Sequence, residues 1–73
     1  MSWNSWNYRV LKRDDEYGVY EVYYDDSGMP HAMSEDPIAI TGENLEDIRN
    51  ELNLILESLE KDVLDYRTLK PIE

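Results

Sequence analysis

Residues 44–60 read NLEDIRNELNLILESLE, and this stretch decides the fold. Leu45, Ile48, Leu52, Ile55 and Leu59 recur at spacings of three and four, with Leu56 widening the stripe. That period places them on one side of a helix and predicts an apolar face about 15 residues, or roughly 22 Å, long. Asn44 stands where a helix N-cap is wanted, and Asp47 lies three positions on, able to reach back towards it. Glu46 and Asp47 put negative charge at the positive end of the helix dipole. Gly42 gives the chain freedom to turn into the helix. An apolar face of this length needs a sheet to cover.

The sheet is found upstream. Trp6 to Arg13 alternates, with Trp6, Tyr8 and Val10 on one side and Asn7, Arg9 and Leu11 on the other. Asp14-Asp15-Glu16-Tyr17-Gly18 breaks the run. Val19-Tyr20-Glu21-Val22-Tyr23-Tyr24 is the stretch richest in β-formers and is expected to be the central strand. Asp25-Asp26-Ser27-Gly28 is a hairpin turn, because Asp and Ser bond the local backbone and Gly accepts positive φ. The return strand, about Met29 to Ser34, begins near Pro30, which cannot donate to a ladder and so belongs at an edge or a strand start. Glu35-Asp36-Pro37 ends or bends it, and Ile38-Ala39-Ile40 is expected to run on over the core.

The expected fold is thus α+β: a three-stranded antiparallel β-meander packed on one C-terminal amphipathic helix, in the order β-β-β-α. Residues 1–73 form a single domain with an ordered core of about 5–66. After Glu60 the periodicity fades. An extended tail returning Val63 and Leu64 to the core is favoured over a fraying last turn, with residues 67–73 mobile apart from Leu69. One helix covers one side of a sheet, yet apolar residues stand on both. Leu11, Val19 and Tyr23 are read as lying opposite a set led by Tyr8, Val10 and Val22. Something should cover that second face: a second copy, the chain's own tail, or a partner.

Composition narrows the function. Seventy-three residues bury only about 60% of the unfolded chain's surface, so one thin core is all there is room for and a deep active-site cleft is not expected. Cysteine is absent, which removes disulfides and thiolate metal sites. The amino terminus lacks the basic region and apolar run of a secretory signal, and no stretch approaches the roughly 20 apolar residues of a bilayer span. The cytoplasm is the expected compartment. Seventeen Asp and Glu against seven Lys and Arg give a net charge of −10. That balance opposes direct contact with nucleic acid or an anionic membrane and suits a basic protein surface.

No catalytic, cofactor-binding or metal-binding set emerges. His31 is the single histidine and has no nucleophile motif beside it. The carboxylate pairs Asp14-Asp15-Glu16, Asp25-Asp26 and Glu35-Asp36 sit in turns, where aspartate is favoured for backbone reasons. Residues 25–30 depart from a calcium-loop pattern after the fourth position. Gly18, Gly28 and Gly42 stand too far apart for a phosphate loop. The informative residues are the aromatics, which include Trp3, Trp6 and six tyrosines, and the helix carboxylates. Exposed Tyr and Trp often anchor interfaces. The candidate partner-binding residues are therefore Tyr23, Tyr24, Glu43, Glu46, Asp47, Glu51, Glu57 and Glu60. The expected role is a non-catalytic regulator that binds a basic protein and forms a homodimer. The alternatives are a nucleic-acid mimic that inhibits a defence or nucleic-acid-processing enzyme, and a structural subunit of a larger assembly.

Two resemblances accompany this reading. Trp6-Asn7-Tyr8-Arg9-Val10, Gly18 through Asp25, and Pro37 through Gly42 with the helix resemble a family of short, acidic, functionally uncharacterised bacterial and phage-type proteins. That likeness covers nearly the whole chain and implies a fold without an activity. Ile40-Thr41-Gly42-Glu43-Asn44-Leu45-Glu46-Asp47-Ile48 resembles the Thr-Gly-type turn by which the sheet of the HicB-like antitoxin domain leads into its helix. Members of that family oligomerise and neutralise a small basic toxin, so the resemblance implies an acidic protein-binding role. The proline- and glycine-rich segment typical of that family is reduced here to Pro37 and Gly42, and no DNA-binding extension is seen, so autorepression is not implied.

Overall fold

The computed structural model describes residues 5–72 and shows four strands and one helix. β1 (Ser5–Arg13), β2 (Glu16–Tyr24) and β3 (Pro30–Met33) form the expected antiparallel meander, and α1 spans Leu45–Ser58. A two-residue strand, β4 (Leu64–Asp65), then pairs parallel to β1, giving the order β3-β2-β1-β4. The sheet therefore has four strands instead of three, and the helix is not the C-terminal element. Two residues are too few to carry an alternating pattern, so β4 leaves no periodic signal in the sequence.

The first hairpin is tighter than its sequence suggests. Asp14 and Asp15 alone make the turn, with Asp14 at φ 57°, a left-handed conformation that aspartate tolerates. This fixes the register: Tyr8 pairs with Glu21, Val10 with Val19 and Leu11 with Gly18. Even-numbered residues of β1 consequently share a face with odd-numbered residues of β2. Trp6, Tyr8, Val10, Val19, Glu21 and Tyr23 form one face, and Asn7, Arg9, Leu11, Tyr20, Val22 and Tyr24 the other. The expected grouping of Val22 with Tyr8 and Val10, against Leu11, Val19 and Tyr23, is corrected. A one-residue change of register moves a strand's whole side-chain set to the opposite face.

At the second turn Gly28 lies at φ 84° and donates its N–H to the Asp25 carbonyl at 3.0 Å, as a glycine closing this turn should. Beyond β3 the chain follows β2, with the Ile38 amide bonding the Val19 carbonyl at 2.9 Å. Ile40 ends up half in water instead of over the core.

The second sheet face is covered by the chain itself. Leu11, Tyr20, Val22 and Leu64 form its buried centre, and Tyr24, Met33, Tyr66 and Leu69 pack around them. The Tyr66 ring lies 5.5 Å from Tyr20, and the Arg13 guanidinium sits over it at 4.4 Å. Residues 63–72 make a clasp in which the Tyr66 amide bonds Lys12, the Leu69 amide bonds Asp65 and the Ile72 amide bonds Val63. Arg67 reaches Asp14 at 3.1 Å across the end of the first hairpin.

Helix α1 lies on the opposite face, chiefly against β1. Its start is capped as expected: the Asn44 side chain accepts from the Asp47 amide at 2.9 Å. The Asp47 carboxylate reaches back one residue further, to the Glu43 amide at 3.1 Å. A side chain at Gly42 would put its Cβ 2.6 Å from that of Asp47, so glycine is needed for the close approach.

Candidate functional site

The helix is rolled away from the orientation its hydrophobic period predicts. Ser58 is fully buried, and Ile48, Glu51 and Ile55 are partly buried beside it. At about 100° per residue these four occupy one narrow sector, and this sector is the seam against the sheet. Leu45, Leu52, Leu56 and Leu59, by contrast, are 81, 48, 62 and 65% exposed. The expectation that Leu45, Leu52 and Leu59 face the core is corrected: the seam lies roughly 70° around the helix from the centre of the predicted apolar face.

Polar chemistry accounts for the roll. Tyr8 is buried on β1, and a buried phenol must find a partner. It donates to the Glu51 carboxylate at 2.7 Å, which draws Glu51 into the seam. Burial and then the Glu51 carboxylate push the Tyr8 phenol up to about 12. Ser58, small and with its hydroxyl bonded to the Ile55 carbonyl, lets the last turn approach closely. The leucine flank turns outward as a result.

The outward leucines fall within about 60° of arc and form a continuous stripe along the full length of α1. Glu46, Asn53, Glu57 and Glu60 border it on the side away from the sheet. Arg49 lies between the stripe and this rim and is held by Glu46 at 3.6 Å. Glu57 and Glu60 enter no ion pair among the described residues. Among the described residues nine large hydrophobic side chains are exposed and six hydrophobic residues are buried. Five of these nine, Leu45, Leu52, Leu54, Leu56 and Leu59, lie on α1 or at its C-cap, where carboxylates flank the stripe.

The other sequence candidates are dispersed. The Asp47 carboxylate is occupied at the helix cap, where Glu43 takes part only through its backbone amide, and the Glu51 carboxylate is occupied at the seam. Tyr23 lies on the helix side of the sheet and donates to Glu21, which raises its phenol. Tyr24 lies on the clasp side, where its hydroxyl bonds Asn7 at 2.7 Å and receives Arg9 at 3.0 Å. The two tyrosines therefore share no surface. Trp3 falls outside the described residues. The leucines were missed as a site because the 3.6-residue period identifies an apolar flank without saying which part of it the sheet will take.

A concavity of about 270 Å³ lies where the start of β1 meets the end of α1, lined by Trp6, Tyr8, Leu54, Glu57, Ser58 and Lys61 among others. Trp6 forms its outer wall, edge-on to Tyr8 at 5.3 Å. In the β2–β3 turn, Asp25 accepts from the Ser27 amide, the Ser27 hydroxyl and the Met29 amide, and the Ser27 hydroxyl is the main cause that holds its carboxyl below the usual range. All three bonds fall on its Oδ1, which serves the turn. Among the described residues no group of three or more His, Cys, Asp or Glu is placed to hold a metal ion, and no helix is long and apolar enough to cross a membrane. No protein-family model matches the chain, and neither the curated proteins nor the solved structures yielded a significant match.

Proposed function

We propose that this chain is a non-catalytic regulatory protein that binds a basic protein partner through the outer surface of α1. One observation carries this reading: the uncovered leucine stripe Leu45–Leu52–Leu56–Leu59 runs beside Glu57 and Glu60, which enter no ion pair among the described residues. Apolar area supplies most of the affinity of a protein contact, and a one-signed rim selects the partner and speeds encounter. A nucleic-acid mimic also binds a protein but engages it chiefly through spaced carboxylates, whereas an uncovered leucine stripe favours a contact with an apolar centre. A clasp built from the chain's own residues 63–72 meets the need to cover the second sheet face, which had been one reason to expect a homodimer.

The test is capture of proteins from lysate of the source cell by the tagged chain, with and without nuclease, alongside the double variant Leu52→Glu, Leu56→Glu. Stoichiometric recovery of one basic protein by the wild type, insensitive to nuclease and lost in the variant, supports the proposal. Displacement of that protein by added DNA would favour mimicry, and recovery of the chain alone would overturn a basic partner.

A further inference from the structure

We infer that the element α1 receives is a single amphipathic helix whose apolar face is bordered on one edge by lysines or arginines. This deepens the proposed function and rests on it. Shape sets the first condition. The stripe is straight and narrow, and the 14 residues of α1 make it about 21 Å long. Leu45, Leu52, Leu56 and Leu59 follow the spacings of seven, four and three that recur along the seam of two packed helices. A second helix laid along it can place its own apolar side chains between these leucines. An extended strand would find no backbone donors or acceptors there, because those of a helix interior are already used within it.

Charge then chooses the occupant. Bordering the stripe on the outer side are Glu46, Asn53, Glu57 and Glu60, and on the inner side Ile48 and Ile55, which sink towards the sheet. Cations on the partner are therefore needed along one edge only. A second copy of α1 is a poor occupant. In an antiparallel pair Glu46 of one copy would face Glu60 of the other, and each chain adds a net charge of −10. In a parallel pair the same carboxylates would face isoleucines. Neither arrangement supplies a cation for Glu60, and the one that the antiparallel pair would bring to Glu57, Arg49, is already held by Glu46 at 3.6 Å.

The experiment measures binding of three dye-labelled synthetic peptides of about 18 residues to the full chain by fluorescence anisotropy at about 0.15 M salt. The first has leucines at three- and four-residue spacing, lysines along one edge of that face and glutamines elsewhere. Its scramble keeps the composition and destroys the face. The third keeps the face and replaces every lysine by glutamate. The first peptide should bind at least about tenfold more tightly than either control. Leu52→Glu with Leu56→Glu should weaken it by a similar factor, as should Glu57→Lys with Glu60→Lys. Circular dichroism confirms that each variant folds, and Leu56→Ala serves if the double leucine variant does not.

Equal binding of the scramble would overturn helix docking while leaving a basic partner in place. Equal binding of the glutamate peptide would overturn the charge argument and the basic partner together. Failure of all three to bind would overturn the docking surface. Sedimentation that shows a dimer dissociated by the leucine variants would assign the stripe to self-association and likewise overturn the proposal.

Discussion

Truncating Leu11 and Leu52 to alanine separates the leucines that hold the fold from those that do not. Leu11 has no exposed surface and touches the centre of the clasp-side core with Tyr20, Val22 and Leu64. Removing its side chain should cost about 2–5 kcal/mol, from lost burial and the cavity left behind. A 73-residue domain has about 4–11 kcal/mol of total stability, so Leu11→Ala removes a large share of it. Leu52 is 48% exposed, and losing the covered half should cost about 1 kcal/mol or less, offset by a few tenths through alanine's higher helix propensity. Urea unfolding followed by circular dichroism measures both. With a slope near 1 kcal/mol per M for so small a chain, the midpoint should fall by about 2 M or more for Leu11→Ala and by under about 1 M for Leu52→Ala. A loss above about 2 kcal/mol for Leu52→Ala would mean that the leucine flank faces the sheet, and the reasoning about the roll would fail.

Two further substitutions probe how α1 is held. Tyr8→Phe removes the hydrogen bond to Glu51 and should cost about 1 kcal/mol near neutral pH. Because the folded phenol titrates at about 12 against an ordinary value of 10.0, its contribution is complete below pH 10 and lost as pH rises towards 12. Urea midpoints taken on either side of that window should therefore fall less steeply in Tyr8→Phe than in the wild type, with Tyr23 supplying the residual slope. An unchanged slope would show that the Tyr8–Glu51 bond does not set the titration. Asn44→Ala removes the acceptor for the Asp47 amide and should cost about 1 kcal/mol, read as a lowered thermal midpoint; no change would show that Asp47 alone caps the helix.

Local chemistry made much of the architecture legible. Alternation from Trp6 to Arg13 and from Val19 to Tyr24, the Asp25–Gly28 turn, Pro30 at a strand start and the Asn44 cap each predict the element they occupy. What the pattern could not supply depends on contacts between distant residues. The two-residue turn at Asp14-Asp15 sets the phase of β1 against β2, whereas a five-residue break leaves that phase open. The partner of the Tyr8 hydroxyl lies 43 residues away on α1, and the helix period gives no sign that Glu51 will sit in the seam while Leu52 and Leu59 stand outside it. The clasp likewise depends on Tyr66 meeting Tyr20 and Arg13, residues with no periodic relation to it. Of the candidate site, Glu46, Glu57 and Glu60 were legible as a charged helix side, while the leucines beside them were read as core.

The shape agrees with a chain that leaves apolar surface open. Its radius of gyration is 12.6 Å, against about 11 Å for a tightly closed domain of this length. The small core lies on the clasp side of the sheet and the helix on the other, and covering the stripe would add apolar burial that the isolated chain lacks.

The accessibility of Leu56 tests the central claim most directly. The chain has no cysteine, so Leu56→Cys provides one thiol whose reaction with a disulfide reagent reports only on that position. The expected rate lies within about threefold of that in the urea-unfolded chain and is independent of protein concentration, as for a side chain standing in water. Protection beyond about tenfold at all concentrations would mean that the chain covers its own stripe, and protection that grows with concentration would mean that a second copy does.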